Sequence, residues 1–188
     1  YVRGHARDCD EWQSEGADGW SYRNVLPYFK KAETWAFGGD AYRGGAGPLG
    51  VNNGNNMRNP LYTAFIRAGV DAGYLETDDY NGARQEGFGA MHMTVKNGRR
   101  WSTANAYLRP AMARPNLTVV THALVHKVLL EGTTATGVRY EQGGQVQEAK
   151  AAKEVILSAG SIGSPHLLQL SGIGKREVLE QAGIEVKH

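Results

Sequence analysis

Small residues that could line a ligand lie together in segment 158–163 of this chain. Ser158, Ala159 and Gly160 follow the apolar run 155–157, which is typical of a strand buried on both faces of a parallel sheet. Small residues between a strand and a helix allow backbone N–H groups to face an anion at the start of the helix. A complete dinucleotide fingerprint would have glycine at position 158. Two interpretations therefore stay open for this turn: close packing of strand on helix, or contact with a cofactor.

The segment after this turn carries the signals of a short helix. Ser164 is a favourable N-cap, and Pro165 fits the first helical position. Gly172 and Gly174 can adopt the positive φ that ends a helix. The sequence thus predicts a strand, a tight turn, a buried helix and a sharp exit between residues 155 and 174.

The histidines and serines do not form a recognisable catalytic or metal-binding pattern. Only His122 and His126 are close in sequence, and they lie in β-patterned sequence without a carboxylate between them. His92, between two methionines, is interpreted as a partly buried strand residue. The chain has no Gly-x-Ser-x-Gly motif, which argues against an α/β-hydrolase. We predict no metal site.

Composition limits the class of partner. The 188 residues carry a net charge of +2 without a concentrated basic segment, which argues against nucleic-acid binding. No apolar run approaches the ~18 residues that a membrane span requires. Cys9 is the only cysteine, so no internal disulfide can form and a reducing compartment is compatible. We expect a cytoplasmic protein with a small-molecule partner.

The first part of the chain is predicted to combine helices with a long loop. A helical segment is predicted over residues 12–33 with Ser21 as a cap, followed by a Gly- and Asn-rich loop over 36–56. A second helix is predicted over 60–72, capped by Asn59 and stopped by Gly73. Its predicted buried stripe comprises Leu61, Ala64, Phe65, Ala68 and Ala72.

From residue 117 onward the pattern changes to short β runs. These runs are LTVVT, LVHKVLL, TGVRYEQ, QVQEA and EVILS. The sequence 142–145, QGGQ, predicts a hairpin turn between two of them. A domain boundary is therefore expected near Pro115.

Several ordered blocks resemble the glucose-methanol-choline (GMC) oxidoreductases, and more closely their choline and alcohol dehydrogenase branch. The blocks are YVRGHARDCDEW, GWSYRNVLPYFKKAE, GGAGPLGV, NGRRWSTANAYLRP, RPNLTVVT, EVILSAGSIGSPHLLQLSGIG and VLEQAGIEV. The resemblance implies a mixed α/β fold, part of an FAD/NAD(P)-binding-type fold plus part of a GMC substrate domain. Residues 1–115 would belong mostly to the substrate domain, with a loop-rich, lid-like segment. Residues 116–188 would supply later strands and helices of the FAD-binding domain.

The resemblance also implies a cofactor and a reaction. Val125 would hold the adenine end of FAD through its backbone, while Ser158, Ala159 and Gly160 would lie beside the ribose and phosphates. The complete enzyme would oxidise the CH–OH group of a primary alcohol, choline or another, with hydride transfer to the flavin. The family's flavin fingerprint precedes a block like YVRG and its catalytic histidine follows a block like GIEV. We therefore expect an internal portion of that enzyme and assign no catalytic residue within 1–188.

A second hypothesis assigns the chain a different class of function. The chain would then be a stable non-catalytic fragment that binds no flavin and associates with itself, because a parallel strand without neighbours leaves open edges. Membrane association of the longer enzyme is a further alternative to a cytoplasmic location.

Overall fold

A computed structural model describes residues 1–54 and 56–188. Asn55, which belongs to the predicted loop 36–56, lies outside the described residues. The chain forms two compact units, Tyr1–Leu117 and Thr118–His188. The mixture of helices and strands agrees with the predicted α/β class. The assignment of 1–115 to a substrate domain and 116–188 to an FAD-binding domain stays a prediction.

The first unit begins with two helices where the sequence suggested one. Helix α1 (Ala6–Ser14) starts at a capping box, in which His5 accepts from the amide of Arg7 and Asp8 accepts from the amide of His5. Gly16 has φ +105° and ends this helix, so the prediction of one helix over 12–33 was wrong. Helix α2 (Tyr22–Ala32) follows Ser21, which lies at the predicted N-cap position but makes no capping hydrogen bond through its side chain.

Helix α3 (Pro60–Asp71) has the predicted ends but not the predicted buried face. Asn59 accepts a hydrogen bond from the amide of Leu61 at 3.0 Å, and Gly73 has φ +91° after the last turn. Leu61 and Phe65 are 72% and 67% exposed, whereas Gly69 is buried. The stripe prediction was wrong because the helix packs through the small residue Gly69, whose α-carbon faces the ring of Phe88.

Short strands and turns complete the first unit. Strand β1 (Glu33–Trp35) pairs in parallel with β2 (Leu49–Val51), and β3 (Val95–Lys96) pairs with β4 (Arg99–Arg100) in an antiparallel hairpin. The remaining helical elements are a 3₁₀ turn at Asn56–Arg58, a π-helical turn at Ala104–Leu108 and the short helix α4 (Arg109–Ala111). These elements surround polar side chains as well as apolar ones, since Arg43, Glu33 and His92 are among the most deeply buried.

The second unit is an antiparallel meander with two helices. Strands β5 (Ala123–Glu131), β6 (Thr134–Gln142) and β7 (Gln145–Lys150) pair in that order. The predicted hairpin at 142–145 is confirmed: Gly143 and Gly144 both have positive φ, as a tight type I′ turn requires. Helices α5 (Gly160–Leu170) and α6 (Arg176–Gln181) follow.

Two predicted strands are not formed. Segments 117–121 and 155–157 lie outside all strands of the described residues, and Ile156 is 76% exposed. An apolar run becomes a strand only when another backbone supplies its hydrogen-bond partners, and none does so here within the described residues. Helix α5 begins at Gly160 instead of near Ser164, and Pro165 lies inside the helix. Its predicted end is confirmed by the positive φ of Gly172 and Gly174.

Ser171 ties the end of α5 to strand β5. Its hydroxyl accepts from the amide of Val128 at 2.8 Å and donates to the carbonyl of Leu167 at 2.6 Å, in a buried position. In Ser171→Ala the Val128 amide would stay buried without an acceptor, which costs about 1–3 kcal/mol. We expect hydrogen exchange at the Val128 amide to accelerate by at least about fivefold, while exposed Ser161→Ala leaves it unchanged. Equal exchange rates in the two variants would contradict this role.

Candidate functional site

The predicted cofactor turn is exposed and unobstructed. Ser158, Ala159 and Gly160 lie at the start of α5, and all three are exposed. Gly160 has φ +87°, and a Cβ placed on it would meet no atom within 4 Å. The amide of Ala159 donates to the hydroxyl of Ser164 at 3.0 Å, which holds the turn against the helix. The space at the side-chain position of Gly160 is therefore open among the described residues.

The amides at the start of α5 are free to bind an anion. Within the described part of the chain, no acceptor is hydrogen-bonded to the amides of Gly160, Ser161 or Ile162. Such amides, aligned with the helix dipole, favour a negative charge at the helix start. The turn thus fits a phosphate group of a dinucleotide cofactor by its donors and by its open space.

Val125 lies in the same unit as this turn. It pairs with Tyr140 across β5 and β6, and a register irregularity follows between Val125 and Lys127. Helix α5 packs against β5, and Ser171 at the end of this helix accepts a hydrogen bond from the amide of Val128. That FAD contacts the backbone of Val125 and the turn residues stays a prediction.

The first unit contains a buried network of charges that the sequence did not reveal. Glu33, fully buried, accepts from Arg3 Nη2 at 2.5 Å and from Arg43 Nε at 2.7 Å. Arg43 Nη1 donates to Asp79 Oδ1 at 2.7 Å. The charges alternate along the series Arg3, Glu33, Arg43 and Asp79. Two cations and two anions thus compensate one another in a place where a lone charge would be very unfavourable.

This network connects distant segments. Arg3 precedes α1, Glu33 begins β1, Arg43 lies in the loop after β1, and Asp79 lies in the loop after α3. The guanidinium of Arg43 also lies over the ring of Trp35, 3.9 Å from its centroid. Nη2 of Arg43 is buried and has no hydrogen-bond partner among the described residues. The network therefore joins distant segments of the unit through buried charged side chains.

His92 closes the network at its other end. Its ring stacks on Tyr80 with centroids 4.2 Å apart and an interplanar angle of 22°, and it lies 4.5 Å from the ring of Trp35. Nδ1 has two donor neighbours, Asn81 Nδ2 at 3.1 Å and Arg43 Nη1 at 3.4 Å. Because both neighbours are donors, Nδ1 must be the acceptor and the ring proton lies on Nε2.

The same surroundings keep His92 neutral. Burial first, and the nearby Arg43 guanidinium second, lower the pKa of His92 from 6.5 to about 4, while Asp79 opposes them. Burial likewise raises the pKa of the Tyr80 hydroxyl, which accepts a hydrogen bond from the His92 amide. The imidazole is therefore neutral at physiological pH.

This shift predicts an acid-sensitive fold. Below pH 6.5 the unfolded chain binds a proton at His92, whereas the folded chain does not until about pH 4. Stability is thus fully present above pH 6.5 and falls as the pH drops towards 4. Between pH 7 and pH 4.5 we expect the free energy of unfolding to fall on the order of 2 kcal/mol more in the wild type than in His92→Gln, allowing for screening by nearby water. An equal fall in the free energy of unfolding of the two proteins between these pH values, measured by urea unfolding, would contradict this prediction.

Sequence reasoning missed the network because its members share no local pattern. Residues 3, 33, 43 and 79 are far apart, and each alone resembles a solvated surface charge. His92 was interpreted as a partly buried strand residue, but it is 1% exposed and lies outside the strands of the described residues. Among the described residues, no three histidine, cysteine or carboxylate side chains are grouped as metal ligands.

Comparison with known proteins decides the family. The family model described as GMC oxidoreductase matches residues 1–183. The chain belongs to the GMC oxidoreductase family. The resemblance inferred from the ordered sequence blocks is thereby confirmed.

Individual GMC relatives agree with this assignment. The chain is 64% identical to an oxygen-dependent choline dehydrogenase from Photobacterium profundum and 58% identical to one from Vibrio vulnificus, covering 100% and 98% of this chain and 33% of each relative. Its fold is similar to that of an FAD-dependent oxidoreductase from Chaetomium thermophilum, with TM-score 0.84, 31% identity, and coverage of 99% of this chain and 34% of that one.

The chain thus spans about a third of the length of the curated GMC relatives that it matches. Membership of this family and its flavoprotein neighbours point to FAD as the cofactor. Over residues 1–54 and 56–188, the structure contains no helix with the length and apolar character needed to cross a bilayer.

Proposed function

We propose that this chain is an internal portion of an FAD-dependent oxidoreductase that oxidises the CH–OH group of a primary alcohol, choline or another. We also propose that Val125, Ser158, Ala159 and Gly160 contact the FAD. The observation that carries the proposal is the open turn before α5, where three amides lack acceptors among the described residues. The choline dehydrogenase names of its relatives support choline as one substrate.

The residues of this chain would bind and orient the cofactor. FAD, when bound, supplies the hydride acceptor for alcohol oxidation. The amides of Gly160 and Ser161 would donate to phosphate oxygens, and the absence of a side chain at Gly160 would let the backbone approach them. Backbone groups of Val125 would hold the opposite, adenine end. These roles require no titration of a side chain within the turn.

A second candidate function is a self-associating module without flavin. All six residues of β7 are exposed, and among the described residues this strand pairs only with β6. An exposed strand edge can pair with a second copy of the chain. A visible spectrum of the purified chain separates the two candidates, since flavin absorbance contradicts the second. Sedimentation velocity then shows whether copies associate.

A charge placed in the turn tests the cofactor proposal. Ala159→Glu in the full-length protein puts a carboxylate where we expect phosphates, whereas Ala159→Gln adds the same volume without charge. We expect FAD affinity to be about tenfold lower in the Glu variant than in the Gln variant, because like charges a few ångströms apart near a protein surface repel by more than 1 kcal/mol. Flavin retained on dialysis measures the difference.

Thermal stability gives the control for this comparison. A carboxylate near a helix N-terminus is favourable by about 0.3–1 kcal/mol, so the apoprotein of Ala159→Glu should be no less stable than that of Ala159→Gln. Equal FAD affinities of the two variants would show that the phosphates lie elsewhere.

A further inference from the structure

Helix α3 presents an apolar stripe to solvent. Five apolar residues of the helix and its C-cap recur at the helical period, and all are exposed: Leu61, Ala64, Phe65, Ala68 and Ala72. The helix packs against its own unit through Gly69 on another side. An exposed apolar face with charged residues along its border is typical of a surface that another protein covers.

The apolar surface continues beyond the last turn of α3. The amide of Tyr74 donates to the carbonyl of Gly69 at 3.0 Å, as in a Schellman motif, and this bond fixes Tyr74 beside the helix end. The rings of Phe65 and Tyr74 both lie against the ring of Phe88, with centroids 5.3 Å and 5.4 Å from it. Tyr74 and Leu75 are 63% and 55% exposed. The surface thus has large side chains towards its two ends and alanines between them.

A second copy of α3, running in the opposite direction, matches this distribution of sizes. In an antiparallel pair the first half of one helix lies beside the second half of the other. When Phe65 lies beside Gly73 of the second copy, Ala64 lies beside Tyr74 of that copy, so each large ring meets a small residue. Small residues at the contact let two helix axes approach to about 8–10 Å.

The charges that border the stripe favour the same arrangement. Arg67 Nε and Asp71 Oδ1 lie 3.5 Å apart on α3, and both side chains are exposed. The antiparallel alignment that brings Phe65 beside Gly73 also brings Arg67 opposite Asp71 of the second copy. Twofold symmetry makes this contact twice. A parallel pair in register would instead place Arg67 beside Arg67, so charge complementarity selects the antiparallel direction.

We infer that two copies of this chain associate through α3, as an antiparallel pair with its twofold axis at the level of Gly69. The apolar stripe forms the centre of the contact, and the pairs between Arg67 and Asp71 lie at its border. One helix from each copy buries a small area, so we expect a Kd on the order of 10 μM. The inference depends neither on FAD nor on alcohol oxidation, and it concerns a different surface from the edge of β7.

Charge reversal tests the pairing and its direction. Arg67→Asp places two carboxylates opposite each other at each contact, and Asp71→Arg places two guanidinium groups there. In sedimentation velocity of the full-length protein at low salt, we expect each variant to associate about tenfold more weakly than the wild type. An equimolar mixture restores both contacts between opposite charges and should associate about as tightly as the wild type. A mixture that associates no more tightly than either variant alone would refute the antiparallel pair.

The double variant Arg67→Asp/Asp71→Arg controls for loss of the ion pair within one helix. It keeps opposite charges both within α3 and across the contact, so we expect it to associate as the wild type does. Association as weak as that of the single variants would contradict the proposed charge contacts.

Phe65→Ser tests the apolar part of the contact. Each dimer covers two copies of this ring, so we expect association to weaken at least about tenfold. Phe37→Ser is the matched control, because Phe37 has the same exposure of 67%, contacts one aromatic ring, and lies outside α3. Equal association of the two variants would overturn the inference. A wild-type protein that stays monomeric at about 100 μM would also overturn it, and would mean that another partner covers this face.

Flavin retention by the same preparations separates this inference from the proposed function. A protein that retains FAD, but whose association is unchanged by either charge reversal, refutes pairing through α3 and leaves the cofactor proposal supported. A protein that retains no FAD, but whose two charge variants associate when mixed, supports pairing through α3 and contradicts the cofactor proposal.

Discussion

Glu33→Gln is expected to lower the free energy of unfolding of the unit Tyr1–Leu117 by about 3–5 kcal/mol. Glu33 is fully buried and is the anion between Arg3 and Arg43, at 2.5 Å and 2.7 Å. Glutamine preserves the shape of the side chain but removes the buried countercharge of Arg3. Arg43 then keeps one of its two carboxylate partners, Asp79. Removing one member of a buried ion pair is costly because its partner remains desolvated.

Tryptophan fluorescence during urea unfolding measures this effect in the correct unit. All four tryptophans, Trp12, Trp20, Trp35 and Trp101, lie in the first unit. Asp71→Asn is the matched control, because Asp71 forms an exposed pair with Arg67 at 3.5 Å on α3. Such a pair contributes about 0.5 kcal/mol or less. A Glu33→Gln midpoint as close to the wild type as that of Asp71→Asn would refute the structural importance of the network.

Gly44→Ala is expected to destabilise the same unit by about 3 kcal/mol or more. A Cβ at this position would lie 2.0 Å from the carbonyl oxygen of Lys30 and 2.5 Å from that of Glu33. Both obstacles are backbone atoms, so relief requires moving the end of α2 away from the loop that carries Arg43. Inserting even one methyl group into a close-packed interior commonly costs 1–3 kcal/mol, and a clash with backbone costs more.

Gly4→Ala provides the comparison for Gly44→Ala. A Cβ on Gly4 would have one neighbour, Asp8 Oδ2, at 4.0 Å, which is an ordinary contact distance. We expect this variant to unfold within about 0.5 kcal/mol of the wild type in the same fluorescence assay. A Gly44→Ala protein as stable as Gly4→Ala would mean that α2 and the Arg43 loop are not in the close contact described.

Local signals predicted the parts of the fold that depend on neighbouring residues. Asn59 caps α3, and Gly143 and Gly144 turn the chain between β6 and β7, as their types indicate. These features form from a few adjacent residues, whose conformational preferences act without the rest of the chain. The prediction of one helix over 12–33 failed because Gly16 ends α1 before a new helix begins.

Predictions that depended on distant partners were less successful. The apolar run 155–157 has the composition of a buried strand, yet it pairs with no strand among the described residues. The start of α5 was predicted near Ser164, whereas the helix begins at Gly160 and the Ser164 hydroxyl bonds back to the amide of Ala159. The run 155–157 lacks a pairing strand among the described residues, and the start of α5 includes a hydrogen bond between Ala159 and Ser164. Neither feature can be inferred from adjacent residues.

By itself, the sequence determined the family, because ordered blocks along the whole chain match the GMC oxidoreductases, and it determined the caps and tight turns. Only the tertiary structure decided that Arg3, Glu33, Arg43 and Asp79 meet, and that His92 is held neutral beside them. The physical reason is that a cap or turn is a local conformational preference. The compensation of buried charges depends on distances between segments that are far apart in sequence.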